Sequence, residues 1–510
     1  MASITSPIKT PLVATLLGGI AVAGYAPLGW YPLPVLTLAG LFTLVGIATP
    51  GQGFRLGLAY GLGLFLTGVS WVYVSITTYG GMPMPIAALA TFLFCTVNAL
   101  LPALAMWAGT RLAQGPIRVI VALPAAWVLG EWLRGWLFTG FPWLTLGYSQ
   151  APDSPLAGFA PLLGVYGVSL TAALIAGALA SLVPSVATRR MHGRRGFLPD
   201  LAAVALLLIG LGLQQVEWTR PAGAPVSVAL LQGNVPQEMK FRPEHLRTTL
   251  DAYARQVLES HARLTVLPET ALPMFRSELP HGYLDQLANH ARQQGGDLLS
   301  GIPEYEGQGR YFNSAVSLGR SPEGQYRKVH LVPFGEFVPW GFRWAVDMMQ
   351  IPLGDFTRGA SEQGPIAAAG ERLAVNICYE DAFGEERIPA ARDATLLVNI
   401  SNDAWFGASL APRQHLQIGA MRSIETGRWQ LRSNNTGITA VLDEHGRIRA
   451  QLAPFTTATL HAQAQGRSGL TPYMRWGNWP VMGLVIVILG LAYGLSHRYS
   501  SSPRTGSTDP

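Results

Sequence analysis

Cys378 closes the run Leu373-Ala374-Val375-Asn376-Ile377 and is followed by Tyr379-Glu380-Asp381. A thiol at the end of an apolar, β-compatible run is one way to hold a nucleophile on a rigid support. The same pattern fits a buried, inert thiol, because free cysteines are among the most buried residues. The only other cysteine, Cys95, lies inside an apolar run. Two more polar residues stand where apolar runs end or turn. Glu269 follows Thr265-Val266-Leu267-Pro268, and Lys328 precedes Val329-His330-Leu331-Val332-Pro333. Together they make a coherent chemical set. A free thiol has a pKa near 8.5 and is mostly protonated at neutral pH. A carboxylate takes its proton as general base, and an ammonium favours both the thiolate and the oxyanion of a tetrahedral intermediate. Backbone amides after Cys378 could add donors. Singly, each signal is weak: a Pro-Glu at a strand end is commonly a turn acid, and a hairpin lysine is commonly a solvated charge.

The elements that would position these groups lie between about 222 and 465, where charged residues are frequent and apolar runs are short. Val226–Leu231 reads as a buried strand, followed by a helix over 243–261 and a strand at 264–267 that ends on Pro268-Glu269-Thr270. A polar helix is predicted over 281–294 and a strand over 297–302. The runs 313–318 and 326–329 flank Ser321-Pro322-Glu323-Gly324, a hairpin signal. Strands at 373–377 and 396–400 lead into Cys378 and into Ser401-Asn402-Asp403. The runs 438–442 and 448–452 flank a second hairpin turn, Asp443-Glu444-His445-Gly446. Strands alternating with helices, plus hairpins, predict an α/β layered domain.

The rest of the chain is different. Of 510 residues, 49% are hydrophobic and only 13% charged, against about a quarter charged in an ordinary soluble domain. Apolar runs long enough to cross a bilayer, about 20 residues each, are read at roughly 11–28, 31–49, 56–78, 85–110, 117–137, 162–186, 197–216 and 478–496. The expectation is a bundle of eight spans. The first run has small residues, Ala21-Val22-Ala23-Gly24-Tyr25-Ala26, like a cleavage site. Further spans follow at once, so it is read as a retained helix. Lys9, Arg55, Arg111, Arg118, Arg189, Arg190, Arg194, Arg195, Arg498 and Arg504 fall on one side of this arrangement. The 1–2 and 3–4 loops carry no Lys or Arg. The positive-inside rule then puts both termini in the cytoplasm and the segment between spans seven and eight on the opposite face. The net charge of +6 is accounted for by this topology rather than by nucleic acid. Two cysteines exclude a disulfide framework and leave the redox compartment open.

Four segments carry a family resemblance: Leu267-Pro268-Glu269-Thr270-Ala271; Arg327-Lys328-Val329-His330-Leu331-Val332-Pro333-Phe334-Gly335-Glu336; Ile377-Cys378-Tyr379-Glu380-Asp381; and Asn399-Ile400-Ser401-Asn402-Asp403-Ala404-Trp405-Phe406-Gly407. They resemble the nitrilase superfamily. With membrane spans around them the chain resembles the apolipoprotein N-acyltransferase family over almost its whole length. The resemblance implies an α-β-β-α nitrilase-like domain on a membrane bundle, facing the periplasm, with a catalytic triad at Glu269, Lys328 and Cys378. Glu336, Glu380 and Tyr379 match supporting residues. Phe241 stands where some relatives carry Trp. The implied reaction moves an acyl chain from a phospholipid, at sn-1 of phosphatidylethanolamine, through a Cys378 thioester. The acceptor is the α-amine of a diacylglyceryl-cysteine apolipoprotein. The implied cofactor set is empty and the implied state a monomer. The domain division expected is 1–220 for seven spans, 221–466 for the catalytic domain and 467–498 for the eighth span. A disordered cytoplasmic tail is expected at 499–510.

Substrates anchored in a bilayer call for apolar residues around the site. Trp340 and Phe342, with Trp344, Met348 and Met349, are candidates in an apolar stretch, 339–356, read either as a mobile lid or as a packed insertion. Phe141 and Trp143 are candidates in the aromatic segment 135–144. That segment reads either as an interfacial belt or as a wall beside the site. Glu131 and Arg134 share a helix face and are read as a structural ion pair. His330, beside Lys328, is an inferior candidate base. Two rivals stay open. A membrane-tethered amidase would pass the acyl group to water. A transporter would need ionisable residues in mid-bilayer, and spans one to four are nearly free of charge.

Overall fold

Two six-stranded sheets face each other across the domain that carries Cys378. The computed structural model describes residues 9–183, 198–339, 341 and 355–500. The first sheet runs in the order Ala458–Ala464, Val226–Gln232, Leu264–Val266, Asp297–Gly307, Arg310–Gly319 and Gly324–Arg327. The second runs Ile448–Gln451, Ala440–Leu442, Trp429–Asn434, Leu396–Ser401, Glu371–Ile377 and Ile366–Ala368. Val228, Leu230, Leu264 and Val266 from the first sheet meet Val375, Ile377, Val398, Ile400 and Leu431 from the second in one buried core. The opposite face of the first sheet carries Ala229, Leu231, Leu298 and Val316. These pack on Leu250, Tyr253 and Val257 of the Pro243–Leu258 helix and on Leu287 and Ala291 of the Tyr283–Gln293 helix. On the second sheet, Ala374 and Leu397 pack on Ala391 of the Gly384–Asp393 helix. Alternation of side chains along each strand thus yields α-β-β-α layers.

Both expected hairpins form. The reading missed the Gly384–Asp393 and Ala411–Thr426 helices and the Trp429–Asn434 and Ala458–Ala464 strands. The Ala411–Thr426 helix is buried on every side, Gln414, His415, Arg422 and Glu425 included, so it lacks the apolar stripe by which a surface helix is recognised.

Each of the eight apolar runs coincides with helix, but eight spans is more than their lengths support. Among the described residues, four helices are long and apolar enough to cross a membrane: Met84–Leu112, Gly115–Arg134, Pro155–Ser181 and Trp479–Ser496. Pro50–Gly68 and Val72–Tyr79 make a fifth if this pair, bent by 57°, is one span. Lys9–Gly24, Pro32–Gly46 and Leu198–Leu213 are shorter. At 1.5 Å rise per residue, a 15-residue helix reaches only about 23 Å of a hydrocarbon core near 30 Å. The apolar runs are longer than the helices because apolar residues continue through the turns: Ala26, Pro27 and Leu28 extend the first run past the helix end at Gly24. The basic loop Arg189–Arg195, the stretch Trp340 to Met349 apart from Gly341, and the tail from 501 onward lie outside the described residues.

Candidate active site

Cys378 sits at the junction between the Glu371–Ile377 strand and a 3-10 turn, Cys378–Ala382. Its φ is +54°, a left-handed value that is sterically unfavourable for a side chain with a Cβ. Such strain costs about 1–3 kcal/mol and persists where surrounding bonds over-determine it. Those bonds are present. The Cys378 carbonyl accepts from Asn399 Nδ2 and faces His415 Nε2, each at 3.1 Å. The Glu380 carboxylate, fully buried, accepts from the backbone N–H of Ile377 at 2.8 Å, of Val329 at 2.8 Å and of His330 at 3.0 Å. It also accepts from the Tyr326 hydroxyl at 2.9 Å, and Arg387 lies 3.6 Å away. Glu380 therefore clamps the turn that carries Cys378 onto the segment that carries Lys328.

Lys328 is held between two acids. Its Nζ lies 2.9 Å from the Glu336 carboxylate and 3.4 Å from Glu269 Oε1, with all three side chains buried or nearly so. Asn313 Nδ2 donates to both acids, at 2.7 Å to Glu269 and 2.8 Å to Glu336. The second Glu336 oxygen accepts from Val332 N–H at 2.8 Å. Burial works against the Lys328 ammonium, but Glu336, Glu269 and the Cys378 sulfur together outweigh it and raise its pKa. Burial pushes the Cys378 thiol well above its ordinary range. Glu269 pushes the same way and Lys328 opposes them. Glu269 reaches this position because the chain turns sharply after Pro268. A Cβ at Gly301, on the neighbouring strand, would lie 2.7 Å from Glu269 Cα and 2.4 Å from the Pro268 carbonyl.

Outside the triad the sequence reading is sharpened. His330 Nδ1 faces the Glu386 carboxylate at 3.0 Å and its ring stacks on Phe383 at 3.5 Å, while Lys328, not His330, meets Glu269. Asp403 and His415 bond each other at 3.0 Å, behind the Cys378 carbonyl. Lys240, buried, donates to the Glu269 carbonyl at 3.0 Å. Asn313, His415 and Lys240 were missed. Asn313 carried a signal, a polar residue on a strand adjoining Lys328, whereas His415 lies in an unrecognised helix.

The aromatic segment 135–144 divides in two. Trp136 and Phe138 are exposed, Phe138 by 88%, whereas Trp143 is buried. Phe141, Trp143 and Tyr379 form a stack, with centroids 6.0 and 6.3 Å apart and planes within 13° and 16°. The wall beside the site is therefore Phe141 and Trp143, and the exposed belt is Trp136 and Phe138. Glu131 and Arg134 brace this segment rather than bonding to each other, which corrects the expected ion pair. Glu131 Oε1 accepts from Leu146 N–H at 2.7 Å. Arg134 donates to the carbonyls of Phe141, at 2.6 Å, and Trp143. The carbonyls left free by a non-helical loop needed donors, and the guanidinium supplies them. Phe241 is half-buried, next to Lys240, and Trp340 and Phe342 lie outside the described residues. The Tyr379 hydroxyl donates to the Gly140 carbonyl at 2.9 Å. Tyr379→Phe should cost about 1 kcal/mol, on the order of five-fold in transfer rate. Single-turnover assays check this, and the fluorescence of the stacked Trp143 should stay unchanged.

A thiol at a strained strand end, facing a lysine held between two carboxylates, on an α-β-β-α domain joined to apolar helices, defines a membrane-embedded enzyme of the carbon–nitrogen hydrolase class. Residues 227–473 match the family described as carbon-nitrogen hydrolase, and residues 17–178 match the apolipoprotein N-acyltransferase N-terminal domain. An apolipoprotein N-acyltransferase of Nitrosomonas europaea is 51% identical over 486 residues, covering 94% of this chain and 96% of its own. That of Chromobacterium violaceum is 46% identical, covering 97% and 96%. A carbon-nitrogen hydrolase structure from Helicobacter pylori G27 overlaps 54% of this chain and 96% of its own at 18% identity, with a TM-score of 0.36. The chain belongs to the apolipoprotein N-acyltransferase family: it is an acyltransferase and an integral membrane protein.

Proposed function

We propose that Cys378 carries the acyl group between a phospholipid and the N-terminus of an apolipoprotein. Glu269 takes the thiol proton as sulfur attacks the sn-1 ester carbonyl, with phosphatidylethanolamine the preferred donor. The carbon–oxygen ester bond breaks, and Glu269 returns the proton to the departing lysophospholipid alkoxide. Lys328 stabilises the oxyanion that forms between these events. The α-amine of diacylglyceryl-cysteine then attacks the thioester and loses a proton to Glu269. The carbon–sulfur bond breaks, the proton returns to sulfur, and the product is a triacylated lipoprotein. Two half-reactions at one nucleophile give ping-pong kinetics.

The observation that carries this reading is the placement of Cys378, Lys328 and Glu269 beside the Tyr379–Trp143–Phe141 stack. That stack leads from the thiol turn into a loop between apolar helices. The reading includes an eight-span topology, with short helices completed by their flanking turns, both termini in the cytoplasm and residues 221–466 in the periplasm. A reporter fused near residue 350 tests the topology, and cytoplasmic activity there would refute it. For the chemistry, purified protein is incubated with phospholipid alone and digested for mass spectrometry. An acyl adduct on Cys378 is expected, and it should be discharged by a diacylated lipopeptide. Rapid discharge to water with no lipopeptide acylation would favour the amidase instead.

A further inference from the structure

The chain contains three lysines, Lys9, Lys240 and Lys328, against 33 arginines. Several buried acids are paired with arginine: Glu380 with Arg387, Asp381 with Arg432 and Glu425 with Arg422. Lysine is kept at two buried positions only, and both touch Glu269. Lys328 reaches its carboxylate and Lys240 its backbone carbonyl. An ammonium is a compact point charge on a flexible stem, whereas a guanidinium needs a broad planar fork of acceptors.

The charges around Cys378 make the need for a second cation explicit. Glu380 has Arg387 and Asp381 has Arg432, whereas Asp403, hydrogen-bonded to His415, still opposes ionisation of Cys378. Glu336 and Glu269 share Lys328. Without another cation this last group holds one uncompensated negative charge beside the thiol, and a like charge opposes ionisation. Among the described residues, Lys240 is the remaining buried cation in reach. It is 3% exposed, and the turn that carries it is fixed by Gln237, whose side chain accepts from Asn402 Nδ2 at 2.6 Å.

We propose that Lys240 is a positioning residue of the acyl-transfer site: its ammonium, docked on the Glu269 carbonyl, balances the second carboxylate, so that Cys378 can ionise. The proposal rests on the reading of Cys378 as the nucleophile. Burial lowers the Lys240 pKa to about 8, with Glu269 and Cys378 opposing that drop, so the amine is responsive to the charge of its neighbours.

Lys240→Gln keeps a donor for the Glu269 carbonyl and removes the charge, and Lys240→Arg keeps the charge. Both are made in the full-length protein in detergent. The rate of Cys378 modification by N-ethylmaleimide is followed against pH by peptide mass spectrometry. Lys240→Gln should move this profile to higher pH by about one unit or more and lower kcat at neutral pH by on the order of ten-fold, with KM within about two-fold. Lys240→Arg should keep the profile within about half a unit of wild type. Should Lys240→Gln fail to fold, Lys240→Met is read in its place with the same expected shift. An unshifted profile and unchanged kcat in the charge-free variant would overturn the proposal and reduce Lys240 to a cap on a carbonyl. Failure of the underlying reading looks different: the wild-type protein itself would form no acyl adduct on Cys378.

Discussion

Cys378→Ala is expected to abolish the acyl adduct formed from phospholipid and to lower transfer to a diacylated lipopeptide by on the order of 10⁴-fold or more. The loss is large because the sulfur is the atom to which the acyl group is bonded between half-reactions, and neither Glu269 nor Lys328 can replace a nucleophile. Folding should survive. Alanine keeps the Cβ that fixes the backbone strain at φ +54°, and the Asn399 and Glu380 bonds that enforce the turn use backbone groups of residues 377 and 378. The stability change should stay near about 1 kcal/mol. pH separates the two proteins further. The folded state holds the Cys378 proton more tightly than the unfolded chain does. The resulting stability is complete below the ordinary thiol value near 8.5 and is lost as pH rises above it. Wild-type protein should lose stability above that pH more steeply than Cys378→Ala, measured by thermal unfolding. Residual adduct on another residue in the variant would remove Cys378 from the mechanism.

The candidate site residues were legible because each borders an apolar run. Lys328 precedes Val329-His330-Leu331-Val332, Glu269 follows the Leu264–Val266 strand, and Cys378 follows the Glu371–Ile377 strand. Burial of such strands on both faces leaves few positions for a polar side chain, so the polar residue just past the strand stands out. The support around them was less legible. Glu380 acts through the backbone N–H groups of the distant Val329-His330 segment and Glu336 through the distant Asn313 side chain, which no local pattern encodes. The Ala411–Thr426 helix was missed for a related reason. Its Gln414 bonds the indoles of Trp71 and Trp143, at 3.2 and 2.7 Å, and its Glu425 accepts from Val165 N–H at 2.8 Å. A helix sandwiched between the sheet and the membrane bundle needs polar partners on both sides, so its sequence shows no 3.6-residue stripe. The span count differs in the opposite direction, since only four or five of the eight apolar runs are matched by helices long enough to cross on their own among the described residues. Apolar residues in turns such as 25–31 are membrane-compatible but not helical, so hydropathy registers length that the helices do not have.

Lys328→Met should be the most damaging substitution for which every bonding partner is known. Its ammonium is shared by Glu269 and Glu336 and offsets one of their two charges; without it they face each other through one shared donor, Asn313 Nδ2. Removing one partner of a buried ionic group costs about 3–5 kcal/mol, because the remaining charge stays desolvated. Loss of an oxyanion partner adds on the order of 10²–10³-fold in kcat. The sign of the pH dependence follows from the same contacts. In the wild type the raised Lys328 pKa contributes stability that is complete at neutral pH. That contribution declines only as pH rises past the ordinary lysine value of about 10.4. In Lys328→Met, lowering the pH should restore part of the lost stability, since protonating one acid removes the repulsion. The double variant Lys328→Met/Glu336→Gln separates folding from catalysis. With one carboxylate removed it should regain most of the thermal midpoint, yet form no detectable acyl adduct on Cys378. Adduct formation at a rate near that of wild type in the double variant would show that the lysine only neutralises buried acids and takes no part in stabilising the oxyanion.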